Sequence, residues 1–149
     1  MLLGAHLITG AVAGEYIDSP YLAFAAGVIL HFIIDAIPHF DTTDDGKLSF
    51  RQIALIVVDG IVGLAILYFC YQDFSIHKLS FLAGAFGSIL PDLIDNVPFW
   101  DKSFQKTRLG KIFHNFHYQI QSVKLTPIPG LAIQYIIITI AVLILIKLK

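Results

Sequence analysis

The chain is short of charge, of thiols and of basic excess, and each shortage removes a class of protein. Charged residues fill 14% of its 149 positions, about half the share of an ordinary soluble domain. Hydrophobic residues fill 56%, and mean hydropathy is +0.75. That balance excludes a water-soluble globule with a charged shell and marks a membrane chain. Cys70 is the single cysteine, which rules out an internal disulfide, and its apolar setting reads as a buried, inert thiol. Ten Lys and Arg against eleven Asp and Glu leave no basic stripe for a nucleic-acid partner.

What the chain has is apolar length. Five segments, residues 2–17, 21–38, 52–71, 79–98 and 128–146, approach the length a helix rising about 1.5 Å per residue needs to cross about 30 Å of hydrocarbon. The fold class expected is all-α, a polytopic membrane bundle of about five transmembrane helices. The first segment is short, carries Gly4, Gly10 and Gly14, and ends in Glu15. Its Ala11-Val12-Ala13 matches a signal-peptidase site, but no basic residue precedes the apolar run and cleavage would remove His6, so retention is expected. Asp18-Ser19-Pro20, residues 41–49 with Asp44 and Asp45 as turn formers, and residues 73–78 read as joints. In the long connection 101–124, Ile112, Phe113, Phe116, Ile120 and Val123 share one helical face and His114, His117 and Gln121 another. This reads as an amphipathic helix at the interface, with membrane lipids as its partners. Trp100 and Tyr118 read as interface anchors.

Lys47, Arg51, Lys102, Lys106, Arg108, Lys111 and Lys124 fall on one side of a five-crossing chain, and Lys78, Lys147 and Lys149 on the other. Seven against three puts the long loops and the N-terminus in the cytoplasm. Residues 30–41 and 90–101 align at an offset of 60, sharing Leu, Ile, Asp, Pro and Asp at five of twelve positions. One integral membrane domain follows: a hairpin over 1–41, its repeat over 50–101, an interfacial helix over 102–124 and a C-terminal anchor over 127–149.

The ionisable residues gather at one depth. Counted from the cytoplasmic ends at the helical rise, His6, His31, Asp35, Asp59, Asp92 and Asp95 lie about 5–12 Å in. Unpaired acids there are costly, so pairing or a metal is expected. His31 and Asp35 stand at i, i+4, and Asp92 with Asp95 and His114 with His117 at i, i+3, so each pair can aim two ligand atoms at one point. Imidazoles mixed with carboxylates suit Zn, Mn or Fe in the divalent state. More ligands than one tetrahedral ion uses points to one or two ions, with Asp35 or Asp95 bridging. His39 is either a group that orients ligands or a loop residue, Asp41 reads as loop, and His77 lies at the opposite face.

His6 in its Gly-Ala-His-Leu setting, His31-Phe-Ile-Ile-Asp35, Leu90-Pro91-Asp92-Leu-Ile-Asp95 and the pair His114 and His117 together resemble the small inner-membrane metal-dependent hydrolases, a family distantly similar to the zinc-dependent phospholipase C group. The likeness covers roughly residues 2–121. It departs from the family where Asn96 follows the second Asp in place of His, and where the His-x3-Asp element precedes the acidic motif. The resemblance implies an inner-membrane, metal-dependent hydrolase whose ligands are His and Asp; with the site at headgroup depth on the cytoplasmic side, the leading expectation is hydrolysis of a phosphoester on a lipid or lipid-linked substrate by metal-activated water. Its divalent transition metal, zinc by that likeness, is then held by His6, His31, Asp35, Asp92, Asp95, His114 and His117. Asp59 reads as a ligand or the catalytic base, and Lys106, Arg108 and Lys111 read as holding the substrate phosphate or the anionic leaflet, with a merely solvated charged face as the equal alternative. Two other readings stand beside it: a proton- or cation-handling transport protein, alone or as a homo-oligomer, and a catalytically inactive membrane scaffold.

Overall fold

The computed structural model describes residues 1–41, 49–97 and 100–147. The Asp44 and Asp45 turn, the Lys47 and Lys149 charges and the repeat's Pro98 lie outside the described residues. The architecture is all-helical: α1 Leu3–Glu15, α2 Pro20–Asp35, α3 Phe50–Asp73, α4 Lys78–Asp95, α5 Asp101–Gln105, α6 Arg108–Ile120 and α7 Pro127–Lys147. No strand is formed among the described residues; one isolated bridge joins His39 to Lys124.

The helix starts follow local chemistry. Pro20 opens α2, where its missing N–H costs nothing. Ser49 and Gln52 form a reciprocal capping box on α3. The Thr107 hydroxyl accepts the Gly110 amide at 2.9 Å to cap α6. The expected interfacial helix is split there into α5 and α6.

Two helices, α3 and α7, are long and apolar enough to cross a membrane. The other apolar segments give shorter helices: α1 has 13 residues, α2 has 16 and α4 has 18. In α1 nearly every residue is buried, and it packs against α2, α3, α4 and α7. α4 lies along both α1 and α2, while α3 packs along α1 rather than pairing with α4. The two repeats therefore do not form equivalent packed hairpins, because α1 supplies the common partner.

Small residues make this closeness possible. A Cβ added to Gly84 would stand 2.2 Å from the Gly10 carbonyl oxygen, and one on Gly27 would stand 2.3 Å from that of Gly84. Gly10 with Gly14, and Ser80 with Gly84 and Ser88, form small-xxx-small stripes at which backbones meet. Outside, the surface is apolar. On α2, Tyr21, Leu22, Ile29 and Ile33 are exposed while His31 and Asp35 are buried. On α6, Leu109, Ile112 and Phe116 are exposed while His117 is buried. Both helices turn their polar stripe inward, the reverse of a helix on a water-soluble core.

Candidate metal centre

The C-terminal ends of α2 and α4 meet the first turn of α1, and α6 lies across them. Asp35 is the last residue of α2 and Asp95 the last of α4. Helix C-termini carry partial negative charge, so the carboxylates add to a field that favours a cation.

Four side chains, His31, Asp35, Asp92 and His117, each bring one ligand atom to within 4.8 Å of all the others, a group that could hold a metal ion. The orientation of the rings is set from behind. His31 Nδ1 donates to the Ser88 carbonyl at 2.8 Å, which leaves its Nε2 lone pair facing inward. His117 Nδ1 donates to Asp95 Oδ2 at 3.1 Å, which turns its Nε2 inward. These two nitrogens stand 3.1 Å apart. Asp35 Oδ2 lies 3.2 Å from the first and 3.3 Å from the second, and Asp92 Oδ1 lies 3.5 Å from His117 Nε2.

Two imidazoles and two carboxylates gathered this closely call for positive charge among them, a proton on His117 or a metal ion in its place. Ligand atoms bonded at about 2.0–2.1 Å around a tetrahedral ion stand about 3.3 Å apart, close to the separations of 3.1–3.5 Å here, so the group could hold a metal ion. The local field shows in His117 itself. Burial pulls its pKa down, but the hydrogen bonds to Asp35 and Asp95 and the charge of Asp92 outweigh it, and the imidazole is pushed up to about 9. Gln121 donates from its carboxamide to Asp35 Oδ2 and lies 3.1 Å from His117 Nε2.

Asp95 reaches the group only through the outer nitrogen of His117. The spacing from Asp92 suggested a fellow ligand, but one turn nearer the helix end it meets the other edge of the same ring, where a carboxylate orients an imidazole. His114 also bonds to Asp95, at 3.0 Å, and its side chain is 39% exposed; it stands outside the four. Gln105 donates to the same carboxylate at 3.3 Å. Asp59 is not brought to the four either: it accepts the Gly4 amide at 2.7 Å and caps the start of α1. Lys106, Arg108 and Lys111 are exposed around the junction of α5 and α6, and among the described residues none pairs with an acid of the group.

His6 is fully buried and stacked on His31, with ring centroids 4.2 Å apart. Its Nε2 lies 3.1 Å from Asp35 Oδ1 and 3.7 Å from Asp92 Oδ2, without the alignment of a hydrogen bond. His39, left open between two roles by the sequence, is also fully buried. Its segment is held by the Leu125 amide on the His39 carbonyl at 2.8 Å. Gln134 of α7 braces the same end by accepting the Leu2 amide and donating to the Phe40 carbonyl. Nothing in the spacing of Gln134 or Gln105 marked them, whereas Gln121 could be found, four residues after His117 on the same face.

A cavity of about 230 Å³ reaches Asp92 and Gln121, and its walls include Met1, Leu2, Leu3, Ile56, Leu93 and Val97. Asp92 is the group's accessible ligand, with 17% of its side chain exposed. Comparison with family models, curated proteins and solved structures returned no match to this chain.

Proposed function

We propose that this chain is a membrane-embedded, metal-dependent hydrolase of a phosphoester carried by a lipid or lipid-linked substrate. The observation that carries the reading is the convergence of the inward Nε2 atoms of His31 and His117 on the carboxylates of Asp35 and Asp92, at the end of an apolar cavity. A divalent metal in that donor set would supply Lewis-acid charge for a developing phosphoryl anion and a nucleophilic water at neutral pH. The chain's own residues do the rest. Ser88 and Asp95 hold the two imidazoles in their ligating tautomers, Gln121 fixes Asp35, and Leu2, Leu3, Ile56, Leu93 and Val97 offer an acyl chain an apolar bed beside Asp92.

The inverted α2 and α6 and the lipid-length α3 and α7 support embedding in a bilayer, with the five apolar segments as its crossings. The positive bias of the long loops argues for a cytoplasmic-facing site in the inner membrane. The resemblance of His6, His31-x3-Asp35, Asp92-x2-Asp95 and His114-x2-His117 to the small inner-membrane hydrolases argues for the chemistry. A translocation path would need polar groups through the opposite half. There the buried acid is Glu15, bonded to the Ser75 hydroxyl and to the Ile76 and His77 amides.

The test is metal analysis of detergent-purified protein together with phosphate or head-group release from mixed phospholipid vesicles. Stoichiometric first-row metal and hydrolysis, both lost in H31A and D35A, are expected. Protein without stoichiometric metal, or ion flux in liposomes with no hydrolysis, would overturn the reading.

A further inference from the structure

Asp35 and Asp92 each use one oxygen toward the pair His31 and His117, and each turns its other oxygen the opposite way. Asp35 Oδ1 and Asp92 Oδ2 face His6 Nε2, at 3.1 and 3.7 Å. His39 approaches the same Asp35 Oδ1, with its Nε2 at 3.9 Å. Its tautomer is fixed, because Nδ1 donates to the Ile37 carbonyl at 2.7 Å and so leaves Nε2 a bare lone pair. His6 and His39 are both fully buried, and the Nε2 atoms of both lack any hydrogen-bond partner. A buried imidazole nitrogen facing a carboxylate oxygen with no proton between them is unfavourable. With His39 Nε2 bare and neither imidazole hydrogen-bonded to Asp35 Oδ1, this face asks for a cation. A positive group does stand on this face: the Met1 amino nitrogen lies 2.7 Å from Asp35 Oδ1.

We propose that this face is a second metal position, held by His6 Nε2, His39 Nε2, Asp35 Oδ1 and Asp92 Oδ2, so that both carboxylates bridge two divalent cations. The assignment rests on the first metal position described above and deepens it. Two ions sharing a bridge suit phosphoester hydrolysis, in which attacking and leaving oxygens both need charge stabilisation. The separations on this side are wider than around His31 and His117, as befits the ion that is looser and exchanges first. His39, outside every metal pair the sequence suggested, becomes a ligand here.

Manganese loading of the chelator-stripped, full-length protein in detergent tests this, read by ions bound per chain and by electron paramagnetic resonance. Two Mn²⁺ per chain with an exchange-coupled spectrum are expected for the native sequence. H39Q and H6Q are each expected to retain one ion with the spectrum of an isolated Mn²⁺. One uncoupled ion in the native protein, unchanged by H39Q, would overturn the second position, leave the first intact and assign this face to the Met1 ammonium. Zero ions would overturn both. The native stoichiometry decides the matter even if H6Q, in the heart of α1, fails to fold.

Discussion

His117 meets a carboxylate at each ring nitrogen, Asp95 on one side and Asp35 on the other, and those two acids are the equivalent positions of the sequence repeat. The repeat thus supplies one acid that faces the proposed metal and one that orients its ligand. D95N is accordingly expected to weaken metal binding about 10–100-fold, whereas D35A abolishes it; competition with a chromophoric chelator measures both. The raised pKa of His117 fixes the sign of the pH dependence. Below about 9 a proton holds the nitrogen that the metal needs, so apparent affinity should climb with pH, by up to about tenfold per unit for one displaced proton, and level off above that value. A flat profile from pH 6 to 9 would speak against His117 as a ligand. At this scale the sequence was most legible where helical spacing acts directly: His31 with Asp35 falls on one face because four residues make about one turn. It was least legible where the answer depends on which edge of a ring a carboxylate meets, as with Asp95, or on a non-helical segment, as with His39.

Among the elements, α1 decides the architecture although it is the shortest of the apolar segments. Its glycines bring its backbone against that of α4, onto which Gly27 of α2 also packs. Gly84→Leu should therefore be severely destabilising, beyond the roughly 1–3 kcal/mol typical of overpacking, because its Cβ alone would stand 2.2 Å from backbone. Gly60→Ala, whose Cβ would meet only Leu3 Cδ2 at 3.5 Å, should be nearly neutral. Thermal unfolding in detergent separates the two, and equal shifts would refute the close-packed α1–α4 seam. The joints at 18–20 and 73–78 were readable from Pro20 and from the polar breaks. That α3 packs along α1 and not α4 was not readable, since hydropathy records how apolar a helix is and not which neighbour it chooses. The polar face of α6 was equally visible in the sequence, and its inward direction follows once the surroundings of the helix are apolar.

Across the whole molecule, one end of the bundle concentrates imidazole and carboxylate while the flanks are apolar: exposed Ile, Leu, Val and aromatic side chains cover α2, α3 and α7. A buried concentration of acids and lone pairs is tolerable in such a body only when positive charge answers it. Depth counting found that concentration because the acids of α2 and α4 sit at matching helix ends. Equal depth does not by itself bring side chains together: Asp59 shares the level without the contacts, and His114, suggested by its spacing from His117, meets Asp95 alone among these acids. The central claim is that His31 and His117, with Asp35 and Asp92, enclose a metal ion. X-ray absorption at the zinc K-edge of zinc-loaded, detergent-purified protein tests it most directly. The account expects multiple-scattering features of imidazole, with nitrogen and oxygen neighbours at about 2.0–2.1 Å, and their loss in H31A and H117A. A shell of oxygen alone, the same in the native protein and in both variants, would contradict it.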